Sequence, residues 1–246
     1  MCPGGPIPDF FSLTRALYRN VGTASSRFLT LMWYQKRSAW AVFITAACLF
    51  AVIAYNVVHA GPLVRLDASV TAWLHAHGSP TLTQVMLFVT HAHDPIAIDA
   101  YSLIMAIILA RRREWSWILG LAAAAPGGLL LNGVIKRLFE RARPSFDDPL
   151  VTLTTFSFPS GHTAGATLFY GTLSAYLLSR THSPRVRNAW LALWLLMVII
   201  VGFSRMYLGV HYLSDVLGGA AWSLAWLSLC LIGVRTLQQR SQSTAG

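Results

Sequence analysis

The sequence predicts an all-α fold, a polytopic membrane helical bundle of six transmembrane helices with an interfacial helix in the first outer loop. Three observations lead there. Hydrophobic residues fill 55% of the 246 positions and charged residues only 11%, where a soluble domain carries about a quarter charged. Several apolar runs approach or reach the length needed to cross a bilayer. The basic residues bracket these runs unevenly, as topology signals do.

The first run, 39–58, is uncharged and long enough at about 1.5 Å per residue to span the hydrocarbon. Further spans are predicted at 96–110, 115–135, 163–178, 189–204 and 216–234. Several are short, so their ends must extend into flanking residues. The run 81–92 has only twelve residues and reads as an interfacial or re-entrant helix. Six spans put both termini on one side. The chain divides into an N-terminal segment 1–38, a six-span domain 39–235 and a tail 236–246, both flanks cytoplasmic. Trp33, Trp40, Trp115, Trp117 and Trp190 lie near span ends, where interfacial aromatic anchors sit. The stretch before residue 38 mixes Arg with Phe, Leu and Trp, so part of it reads as an amphipathic surface helix or a loose tail. The end, 238–246, reads as disordered, and Gly127-Gly128 as a close-packing or kink site after Pro126.

Arg15, Arg19, Arg27, Lys36 and Arg37 precede the first span. Arg111–Arg113, Arg180, Arg185, Arg187, Arg235 and Arg240 follow the second, fourth and sixth. By the positive-inside rule this side is the cytoplasm, which places the chain in the cell (inner) membrane. It also disposes of the nucleic-acid reading that a net charge of +10 invites, because the basic residues form no single soluble face. Arg65, Lys136, Arg137, Arg141, Arg143 and Arg205 fall on the outer side, where topology disfavours them. An anionic ligand explains them. Cys48 and Cys230 lie in apolar runs and Cys2 follows no apolar signal segment, so neither a disulfide framework nor lipoprotein processing is expected.

Three outer segments carry chemistry. Lys136 and Arg143 are seven residues apart, about two helical turns, so they are expected to share a helical face before Pro144 ends the helix. A guanidinium grips two phosphate oxygens and an ammonium adds a point charge. Pro159-Ser160-Gly161-His162 precedes the fourth span. Glycine permits close backbone approach, serine offers a hydroxyl, and a helix N-terminus presents free N–H groups and a positive dipole. Ser204-Arg205 is followed by His211 and Asp215, which would stack one turn apart on a helix. That pairing is the logic of an activated nucleophile, with the carboxylate orienting one ring nitrogen and the other free to attack phosphorus. Each signal alone has a structural explanation. Their order, shared face and position at span boundaries argue against coincidence.

Lys136-x6-Arg143-Pro144, Pro159-Ser160-Gly161-His162 and Ser204-Arg205-x5-His211-x3-Asp215 resemble the three signature motifs of the type 2 phosphatidic acid phosphatase superfamily, whose members include vanadium haloperoxidases and glucose-6-phosphatase. The resemblance covers about residues 60–235. It implies that His211 is the nucleophile, Asp215 its orienting partner and His162 the general acid. It further implies that Lys136, Arg143, Ser160, Gly161 and Arg205 hold the phosphate. No metal or other cofactor is implied, and the partners are a lipid-phosphate substrate and membrane lipids.

The expected activity is hydrolysis of a lipid-linked mono- or diphosphate of the undecaprenyl diphosphate, phosphatidate or phosphatidylglycerophosphate type. A lipid phosphotransferase using the same phosphohistidine is the enzymatic alternative, and a lipid transporter or binding protein the non-enzymatic one. The transporter is disfavoured because the spans are almost free of charge. A haloperoxidase is disfavoured because those relatives are not built on six spans. His75/His77 and His91/His93-Asp94 have His-x-His spacing but lack Cys or i,i+4 support for zinc or copper, and read as loop residues. Asp99 is a candidate as an intramembrane acid, with His93 as a local partner. Arg137 and Arg141 read as contacts to substrate or to lipid phosphates, the latter favoured, and Asp147 and Asp148 as residues shaping the entrance.

Overall fold

A computed structural model describes residues 37–243 apart from residue 152. The expectations for Cys2, Trp33, the basic residues up to Lys36 and the amphipathic stretch fall outside the described residues. Among the described residues eight helices follow one another: α1 Arg37–Val58, α2 Pro62–Ala76, α3 Pro80–His91, α4 Pro95–Arg111, α5 Trp115–Phe139, α6 Gly161–Leu178, α7 Pro184–Tyr207 and α8 Leu213–Ser243. No strand occurs among the described residues. Proline opens α2, α3, α4 and α7, where its missing N–H costs nothing. Ser79 and Asp94 cap α3 and α4 through their side chains.

Four helices, α1, α5, α7 and α8, are long and apolar enough to cross a membrane, and α3 with α4 makes a fifth if the bent pair is one span. The two meet at a break bent by 50°. The predicted span 96–110 is α4, whose seventeen residues reach only about 26 Å. α3 runs along α7, and its Thr90 accepts from Arg205. α6, the predicted span 163–178, is not among the apolar candidates. The physical reason is its position, since it packs against α4, α5, α7 and α8. Eleven of its eighteen residues are buried, many of them Thr, Ser, Gly and Ala. A helix walled by other helices needs small side chains for close approach more than it needs lipid-soluble ones.

Gly128 serves such an approach: a Cβ there would lie 2.4 Å from Leu168 of α6. Trp117, expected at an interface, is instead buried edge-on against Tyr176, whereas Trp115 and Trp40 are exposed. The stretch 238–243, expected to be disordered, continues α8 to Ser243. Cys48 and Cys230 are free thiols.

Candidate active site

The three charged segments converge at one end of the bundle. α5 stops at Phe139 because Glu140 turns left-handed (φ 45°), so Arg143 lies beyond the helix. The expectation that Lys136 and Arg143 share a helical face is therefore corrected. They meet because the chain loops back, and both donate to the Phe156 carbonyl, Arg143 Nη2 at 3.2 Å. Arg143 also donates to the carbonyls of Thr155 and Val210, each at 2.6 Å, and lies 3.2 Å from His211 Nε2. Lys136 donates in addition to the Ser157 carbonyl at 3.2 Å.

The turn before α6 is held against α8. Ser160 N–H donates to the Asp215 carbonyl at 2.9 Å. A Cβ on Gly219 would come within 2.7 Å of the Ser160 carbonyl, so only glycine lets α8 pass so near that backbone. The first bond within α6 runs from Ala164 N–H to Ser160 C=O at 3.0 Å. The N–H groups of Gly161, His162 and Thr163 therefore have no intrahelical acceptor. Ser160 does not cap them with its hydroxyl, which accepts from Thr163 Oγ1 at 3.1 Å. His162 sits in the first turn as expected, with Arg205, His211, Arg143 and His93 within electrostatic reach.

α7 and α8 are joined by the short segment 208–212. Gly209 turns there at φ +68°, with the ring of Phe146 against it. His211 precedes α8 rather than lying within it. Asp215, in the first turn, reaches back to accept from Tyr212 N–H at 2.9 Å and faces His211 Nδ1 at 3.3 Å. The pairing expected from sequence is present, made by a helix-start carboxylate and not by stacked helical turns. Burial of His211 lowers its pKa to about 3 against the opposing pull of Asp215, so the imidazole is neutral near pH 7. Burial also lowers the pKa of Arg143. Arg205, in the last turn of α7, is 2% exposed, and its Nε is buried without a partner among the described residues.

Several residues that sequence reasoning passed over complete this arrangement. Ser157 donates to Asp215 Oδ2 and lies 3.4 Å from His211 Nδ1. Arg141, expected at lipid head groups, is turned inward. It donates to Asp215 Oδ1 at 2.6 Å, to Ser214 Oγ at 2.6 Å and to Asp67 Oδ2 at 2.8 Å. Asp67, on α2 and fully buried, also accepts from Ser214 N–H and Oγ. An ionisable residue inside an apolar setting was the signal available for Asp67, yet the same rule selected Asp99, which is exposed. His93 bonds Val89 and Tyr170, not Asp99.

The paired histidines go to separate partners. His75 bonds Asp148 at 2.9 Å and stacks on Phe146, and His77 bonds and stacks on its own Trp73. Among the described residues no group of three or more His, Cys, Asp or Glu is placed to hold a metal ion. Asp148 and Phe146 thus tie the loop after Pro144 to the end of α2.

Fold and site together define a helical membrane protein with a cationic, N–H-lined recess beside a buried His–Asp pair. The PAP2 superfamily model matches residues 115–239, and the chain belongs to that superfamily. It is 31% identical over 184 residues to phosphatidylglycerophosphatase B of Bacillus subtilis, covering 72% of this chain and 87% of that protein. It is 30% identical over 151 residues to an undecaprenyl-diphosphatase of the same organism, covering 58% and 70%. Among solved structures, the PAP2-type phosphatidylglycerolphosphate phosphatase of Bacillus subtilis superposes with a TM-score of 0.66 at 29% identity, covering 82% of this chain and 96% of that one. The chain is thus a multi-pass member of a family of membrane lipid phosphatases.

Proposed function

We propose that the protein hydrolyses a lipid-linked mono- or diphosphate through a phosphohistidine on His211. The observation that carries this reading is the buried His211 ring, with Nδ1 toward Asp215 and Nε2 toward Arg143. In the first step Nε2 attacks phosphorus, a P–N bond forms and the P–O bond to the lipid breaks. His162 gives the leaving oxygen its proton. In the second step His162 takes a proton from water, whose oxygen attacks phosphorus and returns the P–N electron pair to the ring. Lys136, Arg143, Arg205, Ser160 and the Gly161 N–H hold the phosphoryl oxygens and stabilise their charge as it redistributes. The unpartnered Arg205 Nε and the free N–H groups of α6 are donors suited to that role. This cationic set supplies the charge a metal would otherwise bring, and activity is expected to survive a chelator.

Six membrane crossings follow if α1, the α3–α4 pair, α5, α6, α7 and α8 each cross once, with residues 39–235 as the catalytic domain. Arg111–Arg113, Arg180, Arg185, Arg187, Arg235 and Arg240 then cluster at the end opposite the site, which supports cytoplasmic termini and an outward-facing site. The names of the relatives support phosphatidylglycerophosphate and undecaprenyl diphosphate as the first substrates to test. His211→Ala is expected to abolish phosphate release from both lipids and to prevent trapping of acid-labile labelled phosphate on the protein. Retained turnover would falsify the phosphohistidine assignment.

A further inference from the structure

We propose that Asn132 is a further ligand of the substrate phosphate, donating from its side-chain amide beside the N-terminus of α6; this rests on the phosphatase reading above. Asn132 lies one helical turn before Lys136 on α5, so the two side chains project from the same face. It is 3% exposed. Its orientation follows from its partner: Trp222 Nε1, which can only donate, lies 2.9 Å from Asn132 Oδ1. The carbonyl end of the amide must therefore face α8, and the NH2 group faces away from it.

The NH2 group faces Gly161. A Cβ built on Gly161 would lie 3.3 Å from Asn132 Nδ2 and 4.0 Å from Lys136 Cε. Glycine leaves that space open, bounded by an amide nitrogen, a lysine side chain and the first turn of α6. Asn132 Nδ2 carries two protons and has no acceptor among the described residues. Unlike Arg205 Nε, this nitrogen is not fully sealed from solvent, so its protons are open to a ligand. Here it stands beside the Gly161 and His162 N–H groups, which also lack acceptors, and beside a lysine. The polar groups named here are all donors, so their complement is an acceptor-only group such as a phosphoryl oxygen. Trp222 acts as the positioning residue, holding the amide so that its donors point at the site.

Asn132→Asp tests this in the full chain purified in detergent. The substitution keeps an acceptor for Trp222 and nearly the same volume, but removes both donors and turns an oxygen toward the anion. Orthovanadate inhibition, an acceptor-rich probe of the phosphate site, is expected to weaken roughly 10²-fold, with a similar fall in kcat/KM, at an unchanged unfolding midpoint. Trp222→Phe, which spares the donors, is expected to weaken it less than about tenfold. Orthovanadate binding within twofold of wild type in Asn132→Asp overturns the proposal, as does an equal loss in Trp222→Phe. Should Asn132→Asp not accumulate folded, Asn132→Ala is read by the same two criteria. Inorganic phosphate binding measured in a His211→Ala background separates the two readings. A loss there on adding Asn132→Asp supports the amide ligand whether or not His211 is phosphorylated in turnover, and no change overturns it.

Discussion

Arginine pairs with a carboxylate at both ends of the bundle, in opposite surroundings. At the site end Arg141 bridges Asp67 and Asp215, with side chains 12%, 1% and 0% exposed. At the far end Arg180 meets Glu114 with side chains 47% and 22% exposed. The second pair is in reach of water and ions, which screen it and compete for both partners. The first is enclosed by α2, α8 and the loop after α5, so both carboxylates depend on Arg141, with hydrogen bonds from Ser214, Ser157 and Tyr212, in place of water. The difference teaches that an arginine–carboxylate pair can be incidental or indispensable, and that burial decides which. At the site end Arg141 holds Asp215 Oδ1 while His211 Nδ1 faces Oδ2, so the orientation of the proposed nucleophile is coupled through Arg141 to Asp67, 144 positions before His211.

The largest effect is expected at Arg141. Arg141→Ala strands two buried carboxylates and should cost about 3–5 kcal/mol of stability, with phosphate release falling along with it. Asp67→Asn, which leaves Arg141 one of its partners, should cost less. Chemical unfolding in detergent micelles measures both, and a stability loss below about 1 kcal/mol for Arg141→Ala would erase the contrast between the two ends.

A pH effect of intermediate size follows from His211. Its pKa in the folded protein is lowered to about 3, while in the unfolded chain it is near the ordinary value of about 6.5. Between those values the unfolded chain binds a proton that the folded site refuses, so stability rises with pH across that window and is lost on acidification. His211→Gln should remove one proton from the slope of unfolding free energy between about pH 4 and 6. An unchanged slope would show that the ring is protonated in the folded state.

The smallest effect is expected at the far end. Arg180→Ala or Glu114→Ala should change stability by no more than about 1 kcal/mol and leave kcat/KM unaltered. A larger loss, measured in the same unfolding assay, would show that the far end is as tightly built as the site.

How much of this was readable beforehand varies by residue. Apart from Asn132, the residues proposed to act on phosphate stand within three short motifs whose spacing and residue types carry their own chemistry, and the structure brings those motifs to one end of the bundle. Yet the motif geometry was not helical in the way the spacing suggested: Arg143 reaches Lys136 across a loop, and His211 lies ahead of its helix. Ser157 sits two residues before the second motif and was hidden by its ordinariness. Asp67 and Asp99 show the limit most clearly. Both are acids in largely uncharged surroundings, and only the packing of α2 against α8 makes one of them a fully buried partner while the other faces outward.

By itself the sequence determined what local rules can decide: which stretches are apolar enough to leave water, where proline opens helices, which cations stand apart from the topology signals, and the order of the motifs. Tertiary structure alone decided that Arg141 faces inward, that α6 is walled by protein, that Asn132 turns its amide to Gly161 and that α3 meets α4 at a 50° break. These outcomes depend on contacts between segments tens to more than a hundred residues apart. Helical periodicity places a side chain on a face, but which neighbour covers that face is set by how all the helices pack together.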